Sequence, residues 1–419
     1  MMLGWRTTFS LICSLQVLFH SVLGYAIPDY VKKHAPIIWL HSDDPWMPSD
    51  ISTHVLHTTP KLGFEPIPDL STYDLHNLST LNRHGSAVYL TSANTSSYAD
   101  WLYGETPDNF GVLHNSTACA VVVVEKSPQD VDAFYFYFYS FNEGADITKV
   151  VPPLERLFPD AKPGQSFGNH VGDWEHNMIR FQDAKPVGVY FSQHTSGKAC
   201  LWDDETCMSK RGDRPVVFSA RGSHANYPSE GSHVHDEALI DIADEGRIWD
   251  PVQPAYYYHY DAATQVFTPA DSATKVVDWL GFDGAWGDKK YQDTDPRQTS
   301  VPYFGLKKFE DGPNGPKFKQ LVRKGLMPDH RPKDPMMKVL VRWYLSWYGC
   351  CLKGWNPWVV IIFLLLVFLL LIALMVFAVK RLKPRVKRWV GNRLNRKAKR
   401  EHNEVQLRLL DPDRAEEDM

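Results

Sequence analysis

The stretch GNHVGDWEHNMIRF at residues 168–181 decides the fold, because its two halves ask for different surroundings on one strand. Side chains of an extended strand alternate between faces, so Asp173, Glu175, Asn177, Ile179 and Phe181 share one face and Trp174, His176, Met178 and Arg180 the other. The far end of such a strand is core and its near end is acidic. Asp173 and Glu175 then lie roughly 7 Å apart by strand rise, a costly separation for like charges unless a cation or basic group sits between them. The Gly-rich run before them, residues 168–172, can curl back so that His170 joins. His170, Asp173 and Glu175 together suit a divalent cation: the oxygen ligands favour calcium or magnesium, and the imidazole admits manganese or zinc. The competing reading is a surface strand with solvated charges, or a carboxylate paired with Arg180 or Arg221.

Working outward, FYFYFYSF at residues 134–141 has a strict period of two, with Phe134, Phe136 and Phe138 on one face and Tyr135, Tyr137 and Tyr139 on the other. The phenylalanine face suits a dry core and the tyrosine face a semi-polar surface. Further short runs at 36–41, 87–91, 118–125, 173–181, 186–193 and 215–220, broken by Gly, Pro, Asn and Asp, predict a mainly β chain with a β-sandwich-like domain and long loops. A short helix is expected at 150–158. A second cluster of ionisable groups follows at residues 218–251 and, with His194, adds His224, His233 and Asp244; these and His176 are candidate ligand-binding residues. No H-E-x-x-H, G-x-S-x-G, paired C-x-x-C or P-loop is present, so no catalytic residue is assigned. Three readings stay open: a non-enzymatic binding module, a metal-dependent hydrolase with His170, His176 or Glu175 as base, or a structural scaffold with no ion.

The ends of the chain place it at a membrane. Residues 1–24 carry one basic residue, Arg6, then a short apolar run and small residues, the pattern of a signal peptide. Residues 358–379 are uninterruptedly apolar and long enough to span a ~30 Å hydrocarbon core. Trp343, Tyr344, Trp347, Tyr348, Trp355 and Trp358 precede the span as an interfacial belt, and Lys380, Arg381, Lys383, Arg385, Lys387 and Arg388 follow it. The expected organisation is therefore a signal peptide at 1–24, a luminal β-rich domain at 25–326, a linker and juxtamembrane segment at 327–357, a single transmembrane helix at 358–379 and a cytosolic basic tail at 380–419, type I in the endomembrane system. The outer part is acidic, with 30 Lys and Arg against 42 Asp and Glu over 25–350, while the tail has 13 against 7. That balance argues against nucleic acid and for contact between tail and anionic headgroups. Asn77, Asn94 and Asn115 stand in N-x-S/T triplets before the span, where glycosylation is available. In an oxidising lumen Cys200 and Cys207 are a candidate disulfide.

Seven separated motifs, HAPIIWLHSDDPWMPSDI, FYFYFYSFNEG, GNHVGDWEHNMIRF, FSQHTSG, FSARGSHANYPSEGSH, DEGRIWDP and GFDGAWGD, resemble in order the vacuolar protein sorting-associated protein 62 family of fungi over residues 30–320. The resemblance implies a role in vacuolar protein sorting and a vacuolar or endosomal membrane. GNHVGDWE also resembles the GHRHDWE heptad of the necrosis- and ethylene-inducing-like toxins, β-sandwiches with a divalent cation in an acidic pocket that recognises sphingolipid sugar headgroups. Their histidine, aspartate, tryptophan and glutamate fall on His170, Asp173, Trp174 and Glu175, while Val171 and Gly172 depart from the heptad. A further acidic ligand falls near Glu143 or Asp146. The resemblance implies a cation pocket that engages a glycan, a lipid headgroup or sorting cargo, without toxin activity.

Overall fold

The acidic strand runs from His170 to Gln182 and pairs along its length with the aromatic strand Asp130–Asn142, Tyr137 opposite Glu175 and Tyr139 opposite Asp173. Two long strands of alternating bulky side chains zip together because each buries a complete face on both sides. The computed structural model describes residues 26–410 apart from 93–97, 147–164, 195, 235–238, 271–273, 302–304, 331–332, 334–335 and 348–356. The signal peptide expected at 1–24, the helix expected at 150–158 and Asn94 lie outside the described residues.

The two strands form the middle of a seven-stranded sheet in the order Ser196–Leu201, Lys185–Gln193, His170–Gln182, Asp130–Asn142, Cys119–Glu125, Tyr256–Asp261 and Val266–Pro269. All neighbours are antiparallel except Cys119–Glu125 beside Tyr256–Asp261. A second sheet, Lys210–Arg211, Arg214–Ser219, Ile37–Leu40 and Arg247–Trp249 with Asn226–Tyr227 added to Arg214–Ser219, packs on one face. Ile38, Leu40, Val217 and Trp249 from it meet Val121, Tyr135, Tyr137, Tyr139, Ile179 and Phe191 in one core, the interior of a β-sandwich. The opposite face buries Phe134, Phe136, Phe138, Trp174 and Met178 under the helix Ile51–His57, Leu90, Trp279 of the 3-10 turn Asp278–Gly281, and the loop residues Phe282 and Trp286. The chain is thus mainly β and sandwich-like.

One expectation is corrected. The tyrosine face of the aromatic strand is not a surface: Tyr135, Tyr137 and Tyr139 are buried beneath the second sheet. Two hydroxyls are satisfied internally, Tyr135 donating to the Val31 carbonyl at 2.6 Å and Tyr137 to Asn177 Oδ1 at 2.9 Å. Period two reveals that a strand has two faces but not what covers them.

The chain divides into two units, Met1–Tyr344 and Leu345–Met419. In the second, one helix runs from Pro357 to Leu410. Among the described residues it is the one helix long and apolar enough to cross a membrane, and Leu366, Phe368, Leu370 and Met375 on it are more than half exposed.

Candidate functional site

Gly172 opens the site. Its φ of +70° is left-handed, and a Cβ there would lie 2.0 Å from the Trp286 carbonyl oxygen, so no larger residue fits. Beside it His170 Nδ1 donates to the Gly172 carbonyl at 2.6 Å, which leaves Nε2 as the lone-pair nitrogen of the neutral ring. Burial holds His170 below its usual range, against the opposing pull of Asp173. A histidine oriented through one nitrogen by a backbone carbonyl is how metal ligands are commonly set.

Asp173 and Glu175 are 6% and 7% exposed. His224 Nδ1 donates to Asp173 Oδ2 at 2.9 Å, and the Ser192 hydroxyl donates to Glu175 Oε2. Neither carboxylate meets an arginine: Arg180 is bidentate to Asp132 at 2.7 Å, and Arg221 lies 3.2 Å from Glu143. Burial works to raise Asp173, yet the His224 hydrogen bond and charge bring it below the ordinary carboxylate range. Glu175 goes the other way, pushed up to about 8 by burial and then by the charge on Asp173. One carboxyl of the pair therefore keeps a proton near neutrality in place of a cation.

His224 carries the rest of the geometry. It sits at φ +53° after the strand Arg214–Ser219, 1% exposed, with its ring stacked on Tyr139 at 3.7 Å. With Nδ1 given to Asp173, its Nε2 faces Asp44 Oδ2 at 3.8 Å and has no hydrogen-bond partner. Tyr139 Oη, Ser219 Oγ and Asn226 Oδ1 are also buried without partners. Asp44 is anchored by the backbone N–H groups of Gly222 at 2.7 Å and Trp46 at 3.0 Å. Burial above all, with the charges of Asp44, Asp173 and Glu175 adding to it, raises the Tyr139 hydroxyl beyond its usual range. Unpaired buried polar groups are rare enough to require a reason. The donor chemistry of His170, Asp173 and Glu175 fits a hard divalent ion. As they stand, no three His, Cys, Asp or Glu side chains among the described residues gather around one point closely enough to ligate it.

The other predicted residues divide among separate places. His176 lies on the opposite face of its strand, buried, its Nε2 accepting from Arg323 at 2.9 Å; burial and then Arg323 hold it well below its usual range. His194 Nε2 lies 2.7 Å from Asp241 Oδ2, which also accepts from Tyr227 Oη at 2.7 Å, while His233 stacks on Tyr227 at 3.8 Å. Asp244 accepts from the backbone N–H of Ser42 at 2.8 Å and lies 3.6 Å from His41. Glu143 accepts from Trp46 Nε1 at 3.1 Å. Cys200 and Cys207 are joined by a disulfide with their Cα atoms 5.7 Å apart. Asn115 is exposed, whereas the Asn77 amide donates to the Thr72 carbonyl at 3.1 Å.

Sequence reasoning missed Asp44 and Tyr139 as members of the acidic centre. HSDDPW at residues 41–46 gave no spacing signal, since Asp44 arrives on the loop that follows the strand Ile37–Leu40 of the second sheet. An aromatic platform also went unread: Trp46 stacks on Tyr103 at 4.6 Å and meets Tyr98 edge-on at 4.9 Å. Tyr98 and Tyr103 are 40% and 37% exposed.

Residues 130–302 match the family model described as vacuolar protein sorting-associated protein 62. A protein of that name from Saccharomyces cerevisiae is 33% identical over 355 residues, 77% of this chain and 70% of the relative. A second protein of that yeast, named "Putative vacuolar protein sorting-associated protein TDA6", is 34% identical over 335 residues, 72% of this chain and 68% of the relative. Among solved structures, necrosis and ethylene inducing protein 2 from the agent of cocoa's witches' broom disease is 12% identical, covering 49% of this chain and 70% of its own, with a TM-score of 0.23. NLPPya in complex with glucosamine is 10% identical, covering 57% and 80%, with a TM-score of 0.24. At such scores no residue role follows from the likeness.

Proposed function

The chain belongs to the vacuolar protein sorting-associated protein 62 family, and from that premise we propose that it serves vacuolar protein sorting as a membrane-anchored binding protein of the endomembrane system. Its β-domain captures a ligand through a divalent ion beside Asp173 and Glu175. The names of its relatives support the sorting role. The observation that carries the ion is the charge state of the acidic centre: three buried carboxylates, a Glu175 pushed up to about 8, and a buried His224 Nε2 facing Asp44 without a partner.

His170 through Nε2, with Asp173 and Glu175, would hold the ion, which would supply positive charge and open coordination positions for ligand oxygens. The platform of Tyr98, Trp46 and Tyr103 gives flat apolar faces next to Asp44, suited to the ring of a sugar or the edge of a headgroup. This pairing of an ion with an aromatic rim supports binding over hydrolysis.

The test is chelation. The full-length protein is assayed for capture of neutral glycans and of vesicles bearing glycosylated headgroups, with and without EDTA. The proposal expects capture of one of these that EDTA abolishes, that added calcium or magnesium restores, and that Asp173→Asn lacks. Capture indifferent to EDTA and to Asp173→Asn would reject the ion as the means of binding.

A further inference from the structure

We propose that residues 380–400 form a binding surface for anionic lipid in the leaflet next to the membrane span. The proposal rests on the reading that the apolar helix crosses a bilayer, and is independent of the acidic centre.

Between Lys380 and Arg400 the chain has 11 Lys and Arg and no Asp or Glu; acidic residues resume at Glu401. An orientation signal alone does not require so long an unbroken run. Within this most hydrophilic stretch stand large apolar side chains that the protein leaves uncovered: Leu382 is 52% exposed, Trp389 61%, Val390 42% and Leu394 62%. Trp389, Val390, Arg393 and Leu394 line one concavity, and the Arg393 guanidinium lies 5.2 Å from the centre of the Trp389 ring. Apolar groups set among cations fit neither water nor a protein core, but do fit the boundary between acyl chains and phosphates, where Lys and Arg stems lie along the apolar zone and their heads reach the anions.

Helix geometry shows how the surface would reach that boundary. Continued straight, the helix carries Trp389 about 15 Å and Leu394 about 22 Å beyond Val379, past a headgroup layer of roughly 5–8 Å. Pro384 lies between the span and these residues. It offers no N–H and crowds the carbonyl four residues before it, so the helix bends there at least cost. A bend at Pro384 lays the following turns along the leaflet. A soluble acidic protein would match the same cations, but the leaflet is tethered to this surface by the chain itself and so has the higher effective concentration.

The experiment uses the full-length protein in nanodiscs of phosphatidylcholine alone or with about 30 mol% phosphatidylserine. The readout is the rate of tryptic cleavage after Arg388, Arg393 and Arg396. Phosphatidylserine is expected to slow cleavage about fivefold or more near 0.15 M salt, with the protection lost near 0.5 M. Trp389→Gln with Leu394→Gln, and separately Lys383→Gln with Lys399→Gln, which keep the three read sites, are each expected to reduce the protection while leaving incorporation into discs intact. Equal rates in the two lipids, or protection that appears only when an acidic cytosolic protein is added, would overturn the proposal. A chain that does not enter the discs would contradict the span on which it rests.

Discussion

Asp173 and Glu175 are neighbours of one kind in opposite circumstances, and substitution should separate them. In EDTA at neutral pH, Glu175→Gln imitates the protonated carboxyl already favoured there and should change unfolding free energy by less than about 1 kcal/mol. Asp173→Asn removes the anion that takes the buried His224 hydrogen bond and should cost about 2–3 kcal/mol in urea denaturation. With divalent ion at about 100 times its Kd, the unmodified protein should gain about 2.7 kcal/mol and both variants much less. His54 is a second buried titrating group, donating from Nε2 to the Trp286 carbonyl at 3.0 Å and lying 3.2 Å from Ser140 Oγ. Burial lowers it to about 3, so below pH 6.5 the unfolded chain takes up a proton that the native chain refuses. Its stability contribution is complete above 6.5 and is lost as pH falls toward 3, at up to about 1.4 kcal/mol per unit. Asp288, raised by burial to about 6, works in the opposite sense between about 4 and 6, where the native chain holds the proton. His54→Asn should therefore flatten the fall in stability between pH 6.5 and 5 by about 2 kcal/mol, measured by urea denaturation at each pH.

At the scale of elements, the acidic strand depends on one glycine at its entry. Gly172→Ala would drive a methyl group into the Trp286 carbonyl and impose a left-handed backbone on alanine, and should cost about 3 kcal/mol or more by thermal unfolding. The strands themselves were legible. The alternating or β-branched runs at 36–41, 87–91, 118–125, 133–141, 173–181, 186–193 and 215–220 each overlap an observed strand, because a pleated sheet has only two faces to satisfy. What alternation could not convey was cover. The same signal fits a tyrosine face in water or under a second sheet, and the structure puts it under a sheet. The acidic pair was legible for the same reason that its partners were not. Asp173 and Glu175 are two apart in sequence, whereas His224 is 51 residues away from Asp173 and Asp44 lies on the loop after the strand Ile37–Leu40 of the facing sheet. Such meetings are set by the packing of sheets, which leaves no mark on local spacing.

At the scale of the molecule, an acidic β-rich unit and a basic helical tail are joined in one chain. If residues before the span face the lumen, a peptide N-glycosidase should increase the gel mobility of the protein, and Asn115→Gln should remove part of that shift; alkaline carbonate should leave the chain in the membrane pellet. The central claim is narrower, that positive charge from an ion resolves the crowding of carboxylates around Tyr139 and His224. It is tested most directly by elemental analysis of the full-length protein after extensive dialysis, with the Asp173→Asn and Glu175→Gln variants in parallel. The account predicts about one divalent ion per chain in the unmodified protein and a large loss in both variants. A protein that contains none, and takes up none when dialysed against calcium, magnesium, manganese or zinc, would contradict it.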